Sequence, residues 1–353
     1  MAVVGVPLVI DGSHGEGGAT LIRTALAMSA LTQQPMRIIN IRPEAKRSGL
    51  STEDVAILRA FASSCAAEII GGQVGDKSIS FMPTRRPRGL NESFDVPEEK
   101  DSGGHANALV VVNSLAPVMA RTGVYCTLTA RGETYGHNVL SFDYFNNVTL
   151  GALRKFGLYA YADQAAAGFG RGSQGEVTLE IEPSFLQGIR WAERGRLIGI
   201  KAVIVTAELP EDVGRRGLSH LERLGYYANV AVEAEAIMLK GRSTGAFATI
   251  WAEFENGIGG ATAMGARGVR MEAVVQTAFE NFSEWYKTDA TVDPFVADQL
   301  LLPATLAEGE TSFKVSKLTP RFLTTAWVIK QFLPIHITIK GHEGEPGAVS
   351  IHR

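Results

Sequence analysis

The chain has 353 residues, 45% of them hydrophobic and 20% charged, with a formal net charge of −3. That length supports a large core and exceeds one simple domain, and the slightly acidic balance excludes a protein that grips long duplexes by counterion release. No apolar run reaches the roughly 20 residues of a membrane span, and Cys65 and Cys126, both in apolar contexts, fit a reducing cytoplasm and not a disulfide framework.

The opening "MAVVGVPLVI" lacks a basic region and reads as a first strand, not a signal peptide. "ATLIRTALAMSALTQQ" has helical periodicity, and "PMRIINIR" alternates as a strand. "TEDVAILRAFASSCAA" is a second helix with Ser51 or Thr52 as cap, and "AEIIGG" and "SISFMP" follow as strands. The same order recurs. "NALVVVNSLAPVMART" and "SFDYFNNVTLGALRKFG" read as helices around the strand "GVYCTLTARG", and "EVTLEIEP" is a further strand. Near the C-terminus come the helices "VADQLLLPATLAEG" and "RFLTTAWVIKQFL" with the strands "TSFKVS" and "HITIKG".

About three copies of a βαβαβ-type unit are therefore expected, in an α/β fold with mixed sheets. Residues 184–274 interrupt the third copy with a strand–helix–strand pattern of their own. The expected organisation is a large domain of residues 1–183 and 275–353 with a smaller inserted α/β domain of residues 184–274. Asn113 precedes Pro117 by four residues and Gln299 precedes Pro303 likewise, so amides on equivalent helices are expected to meet at one centre, with Thr20 in the first copy.

Several stretches suit an anionic ligand. "DGSHGEGG" brings backbone N–H groups and Glu16 to a helix start, though a carboxylate there also simply suits the helix dipole. It lacks the Gly-Lys-Ser/Thr ending of a nucleoside-triphosphate loop. Arg23 sits in an apolar stripe and needs a partner, which Glu16 or a phosphate would supply. "IRPEAKRSGL" offers Arg42, Lys46 and Arg47, and a guanidinium fork suits phosphate. "DSGGHANALVVV" is a glycine turn with His105 entering a helix, and "GFGRGSQGEV" is another turn with Arg171. Asp298 and Gln299 open a helix. "TRRPRGL" reads as a solvated turn, and no Cys/His cluster has zinc spacing.

Together these stretches carry a resemblance. Through "DGSHGEGGATLIRTALAMSALT", "NIRPEAKRSGL", "GRSTGAFATIWAEFENG", "VADQLLLPATLAEG" and "FLTTAWVIKQFLP", the chain resembles the RNA 3′-terminal phosphate cyclases nearly end to end. The resemblance implies a cytoplasmic, ligase-type RNA-processing enzyme that uses ATP and Mg²⁺ (or Mn²⁺) to turn an RNA 3′-phosphate into a 2′,3′-cyclic phosphate. It implies a nucleotide and an RNA 3′ end as partners, no membrane, and leaves homo-oligomerisation open. In the family a histidine becomes adenylylated, AMP passes to the RNA end, and the 2′-hydroxyl displaces it.

By the same resemblance, Glu16 (also the metal ligand), Arg23 and Arg42 match the polar pocket, and Asp298 and Gln299 match the nucleotide-binding "ADQ". Phe295 falls where an aromatic residue stacks on adenine, while Thr20 and Asn113 each replace a glutamine. Ala45 stands in place of a second arginine. In "SKLTPRFLTTAW" the nucleophile's position holds Arg321, which has no free lone pair to attack phosphorus. Three readings follow. The first is a cyclase with another nucleophile, His14 or His105, or a direct transfer. The second is a non-catalytic cyclase-like RNA- or ribonucleoprotein-binding protein. The third is an enzyme acting on a small phosphorylated metabolite.

Overall fold

The structure is a computed structural model describing residues 6–45, 47–97, 106–136, 140–170 and 174–352. The first copy of the unit comprises β1 (Leu8–Asp11), α1 (Ala19–Thr32), β2 (Met36–Ile39), α2 (Thr52–Cys65), β3 (Glu68–Ile70) and β4 (Ile79–Met82). The second comprises β5 (Asn91–Asp95), α3 (Ala108–Met119) and β6 (Cys126–Gly132). It continues with α4 (Phe142–Tyr144), a π-helical stretch (Phe145–Thr149), α5 (Leu150–Lys155), β7 (Ala160–Ala166) and β8 (Gly175–Ile181).

The third copy opens with β9 (Arg190–Trp191) and is interrupted by β10 (Leu197–Ala207), α6 (Glu211–Ala228), β11 (Glu233–Leu239), β12 (Gly245–Phe254), β13 (Gly257–Met264) and α7 (Met271–Tyr286). It resumes with α8 (Pro294–Leu306), β14 (Thr311–Val315), α9 (Pro320–Phe332), β15 (His336–Lys340) and β16 (Gly347–His352).

The three copies share one topology. Their four-stranded sheets run β1-β2-β4-β3, β5-β6-β8-β7 and β9-β14-β16-β15. In each, the first pair is parallel across a helix and the other two pairs are antiparallel. The α/β class read from the sequence is what these sheets show, and each copy carries a fourth strand. β5, β7, β9 and β16 were not anticipated. β9 is too short to leave a periodic signal, and β5 buries only Phe94 of its five residues.

One apolar cluster joins the copies, with Leu21, Leu26 and Phe61 from the first, Leu115 and Phe145 from the second and Leu300, Phe313 and Phe322 from the third. Burying each such side chain contributes about 1.5–3 kcal/mol. A second cluster holds the inserted sheet, ordered β11-β10-β12-β13, against α6 and α7 through Ile204, Leu221, Ile250, Phe279 and Phe282. This cluster extends to Ala290, so the expected boundary at residue 274 falls inside α7. Arg194 closes the C-terminus of α7. Its guanidinium donates to the carbonyls of Trp285 and Tyr286 at 2.9 and 2.8 Å and lies 4.5 Å from the Trp285 ring centre. Cys65 and Cys126 are buried free thiols, and no helix among the described residues is long and apolar enough to cross a membrane.

Candidate functional site

The first glycine turn is built to meet α9. Gly15 and Gly17 have φ of +63° and +59°, which glycine adopts without Cβ strain. A Cβ on Gly15 would run into Thr324 Oγ1 on α9. The turn instead lets the Glu16 N–H donate to Thr324 Oγ1 at 3.1 Å, and Thr324 in turn donates to the Pro320 carbonyl at 2.8 Å. Glu16 is thereby held beside Arg321, with Nε 3.5 Å from Oε2. His14 turns away and stacks on Trp327, with ring centres 3.7 Å apart.

A cavity of about 730 Å³ lies where α1, α2, α3, α8 and α9 meet β13 and α7 of the inserted sheet. Of the residues singled out in the sequence, Thr20, Arg23, Asn113, Phe295, Asp298, Gln299 and Arg321 line it. Glu16 stands next to it through Arg321. His14 does not line it, so it is not placed to attack a phosphate there. Arg42 does not line it either. Its Nη1 donates to the Gly49 carbonyl and lies 2.6 Å from Asp54 Oδ2, a fully buried carboxylate, so this guanidinium nitrogen is already engaged. His105, Lys46 and Arg171 lie outside the described residues. The basic turn "TRRPRGL" is not part of the lining.

The amides of successive copies do meet. Asn113 Nδ2 donates to Gln299 Oε1 at 3.4 Å. Pro117 and Pro303 lie inside α3 and α8 and have no N–H, so neither amide residue has its usual helical partner for its carbonyl. Asn113 and Gln299 each stand five residues beyond the first residue of their helix. The residue at that place in α1 is Thr24, not Thr20, and both threonines line the cavity.

The second helices of the copies show a further equivalence that the sequence reading missed. Each begins after a leucine and a hydroxyl residue at the N-cap position, of which Ser51 and Thr319 cap through their side chains: Leu50-Ser51-Thr52-Glu53, Leu140-Ser141-Phe142-Asp143 and Leu318-Thr319-Pro320-Arg321. Glu53 and Arg321 thus hold the same helical position in copies one and three, and both line the cavity. In the first helices, Arg23 and Asp298 are likewise equivalent. The two copies therefore present opposite signs. Copy one puts a cation on its first helix and a carboxylate on its second, and copy three reverses them.

The electrostatics follow this arrangement. Burial pushes Glu53 up to about 7, against the opposing pull of Arg23 and of the Asn107 N–H. Burial also pushes Asp298 up to about 7, opposed by Arg321 and by the Thr319 hydroxyl, which donates to Oδ1 at 2.9 Å. Burial lowers Arg23 from its ordinary value, Glu53 and Asp54 raise it, and Arg321 lowers it further by like-charge repulsion. Arg23 and Arg321 thus face one cavity together with the carboxylates of Glu53 and Asp298, and a guanidinium fork suits an anion such as phosphate. Lys317 adds a third cation to the lining.

Asp293 fixes the frame. It caps α8 through the N–H groups of Phe295 and Val296 at 2.7 and 3.0 Å, and it accepts from Gly260 N on β13 and from the Tyr144 hydroxyl. Copies two and three and the inserted sheet are joined at this one buried carboxylate. Phe295, the next residue but one, is left 54% exposed at the cavity. Among the described residues no group of three or more His, Cys, Asp or Glu is placed to hold a metal ion.

Comparison with known proteins identifies the family. The profile of the family described as RNA 3′-terminal phosphate cyclase matches residues 14–339. The RNA 3′-terminal phosphate cyclase of Gloeothece citriformis is 33% identical over 326 residues, covering 92% of this chain and 93% of that protein. The protein of the same name from Thermococcus onnurineus is 32% identical over 354 residues, covering 98% of each. A solved structure, the enolpyruvyl transferase NikO from Streptomyces tendae, aligns at 12% identity with a TM-score of 0.36, covering 98% of this chain and 49% of that one, a likeness too loose to bear on chemistry. With the profile running from the first glycine turn into β15, the chain belongs to the RNA 3′-terminal phosphate cyclase family.

Proposed function

We propose that the chain converts an RNA 3′-phosphate into a 2′,3′-cyclic phosphate using ATP, by direct transfer and without a covalent enzyme–AMP intermediate. The observation that carries this reading is Arg321. It lines the cavity opposite Arg23 at the position that the family resemblance gives to the nucleophilic histidine. A guanidinium cannot attack phosphorus, but it binds phosphate well.

In this reading an oxygen of the RNA 3′-phosphate attacks the α-phosphorus of ATP and pyrophosphate leaves. The 2′-hydroxyl then attacks the 3′-phosphorus, and the bond to AMP breaks. Arg23 and Arg321 neutralise the charge that gathers on the transferring groups. Phe295 offers an exposed ring to the adenine, and Asn113 with Gln299 offers amide contacts beside it. A magnesium ion arriving on nucleotide phosphates needs only one or two protein carboxylates, which Glu16 fits, and the ion would supply further charge neutralisation.

The test is to incubate the protein with an RNA oligonucleotide bearing a 3′-phosphate, magnesium and ATP labelled at the α-phosphate. The expected products are a phosphatase-resistant RNA end and labelled AMP, with no label on the denatured protein. Protein-bound AMP would refute direct transfer. A second reading, binding of an RNA 3′ end without turnover, is favoured by the same permanent charge on Arg321. It predicts ATP-independent binding of the oligonucleotide and no change in its end.

A further inference from the structure

Glu53 is the internal counterpart of Arg321. Each is the second residue of a capped helix, each follows a buried leucine, and each lines the one cavity. Among the described residues the carboxylate is anchored at one oxygen. Its Oε1 accepts the Asn107 N–H at 2.7 Å, while no hydrogen bond or ion pair among the described residues engages Oε2. Asn107 is itself the cap of α3, so the anchor is a fixed point of copy two. The charged groups that act on Glu53 are Arg23 on α1, Asp54 on its own helix and Arg42 from the loop after β2.

Resting on the cyclase reading above, we infer that Glu53 accepts the proton of the RNA 2′-hydroxyl in the ring-closing step. The 2′-O–H bond breaks and its proton goes to Oε2. The 2′-oxygen–phosphorus bond forms as the bond from phosphorus to AMP breaks, and AMP leaves with that electron pair. Glu53 then returns the proton to solvent. Burial brings the Glu53 carboxyl to about 7, close to the working range of a general base. The arrangement divides the labour between the equivalent positions, with the cation of copy three on the phosphate and the carboxylate of copy one on the hydroxyl.

The competing role for Glu53 is that of a counter-ion to Arg23. The two roles separate in a single-turnover experiment with the 3′-phosphate oligonucleotide, magnesium and α-labelled ATP, for the wild type, Glu53→Gln and Glu53→Asp from pH 5.5 to 9. Glutamine keeps the acceptor for Asn107 N–H and loses the base. The wild-type cyclisation rate is expected to rise with pH through about 7. Glu53→Gln is expected to cyclise at least about 100-fold more slowly. It should lose that pH limb and accumulate RNA carrying labelled AMP at its end. Glu53→Asp should recover part of the rate and the pH limb. Oligonucleotide binding, read by fluorescence anisotropy, should change by less than about threefold, well under the loss a missing charged contact brings. A Glu53→Gln protein that cyclises at the wild-type rate overturns this assignment alone. A wild type that binds the oligonucleotide and never cyclises it overturns the cyclase reading and this assignment with it.

Discussion

Arg321 Nε lies 3.5 Å from Glu16 Oε2, so a carboxylate of the first glycine turn holds the guanidinium at the cavity. Replacing it tests both its charge and its position. Arg321→Ala should weaken binding of a 3′-phosphate oligonucleotide by about 1.5–3 kcal/mol, the worth of hydrogen bonds to a charged group. Arg321→His should place an imidazole at the same helical position and yield acid-labile AMP on the protein where the wild type shows none. Denaturing electrophoresis after incubation with α-labelled ATP reads the second outcome.

Arg23 faces the same cavity and is disfavoured by burial and by Arg321. Arg23→Gln should therefore weaken oligonucleotide binding at least about tenfold, while its like-charge repulsion with Arg321 disappears. A thermal melt run alongside should show the folded protein intact. Unchanged affinity for the phosphorylated end would place the anion elsewhere.

Gly15→Ala should destabilise the chain by about 1–3 kcal/mol, because its φ of +63° disfavours a Cβ and that Cβ meets Thr324 Oγ1. Thr324→Ala added to it should relieve the collision and leave the backbone cost. Urea unfolding of the two single variants and the double variant separates the contributions.

Asp293→Ala removes a helix cap and leaves the N–H of Gly260 and the hydroxyl of Tyr144 without their partner. The expected loss is about 2–4 kcal/mol. Tyr144→Phe should cost only about 1 kcal/mol, since the cap survives. Equal losses in the two variants would contradict the cap assignment.

Asp298 provides a pH signature. Its folded value of about 7 lies above the ordinary 3.8, so the folded chain holds this proton more tightly than the unfolded chain. That contribution to stability is fully present below pH 3.8 and is lost as pH rises through about 7. Asp298→Asn, which cannot ionise, should therefore gain in melting temperature relative to the wild type between pH 5 and pH 8. A difference that stays constant with pH would show that Asp298 titrates normally.

Much of this arrangement was legible in the chain. The Asn113–Pro117 and Gln299–Pro303 spacings foretold two amides at one centre, and they touch. The apolar stripe that carries Arg23 called for a partner, with Glu16 as the candidate. Arg23 lines the cavity, donates from Nε to the Ala19 carbonyl at 3.2 Å, and has Glu53 and Asp54, not Glu16, as the carboxylates acting on it. Arg42 misled because its basic loop could not show that Asp54, a capping-box residue of α2, already claimed it. His14 misled because its ring partner, Trp327, lies at the other end of the chain. Glu53 escaped notice although the Leu-Ser/Thr-x-x register that places it opposite Arg321 is written in each copy. A single carboxylate in a first turn looks like a dipole effect until the copies are aligned.

The long insertion also sets an order of assembly. Trp191 must wait for Phe313, its parallel partner in the sheet, until the whole intervening stretch has left the ribosome. The inserted sheet, with its own apolar cluster, can consolidate while synthesis continues, whereas the first two sheets share one core with Leu300, Phe313 and Phe322 of the third copy. The pocket, which needs Asp298 and Arg321, is completed only as the last strands emerge. A prematurely terminated product would thus lack part of the shared core as well as the Asp298 and Arg321 lining of the cavity.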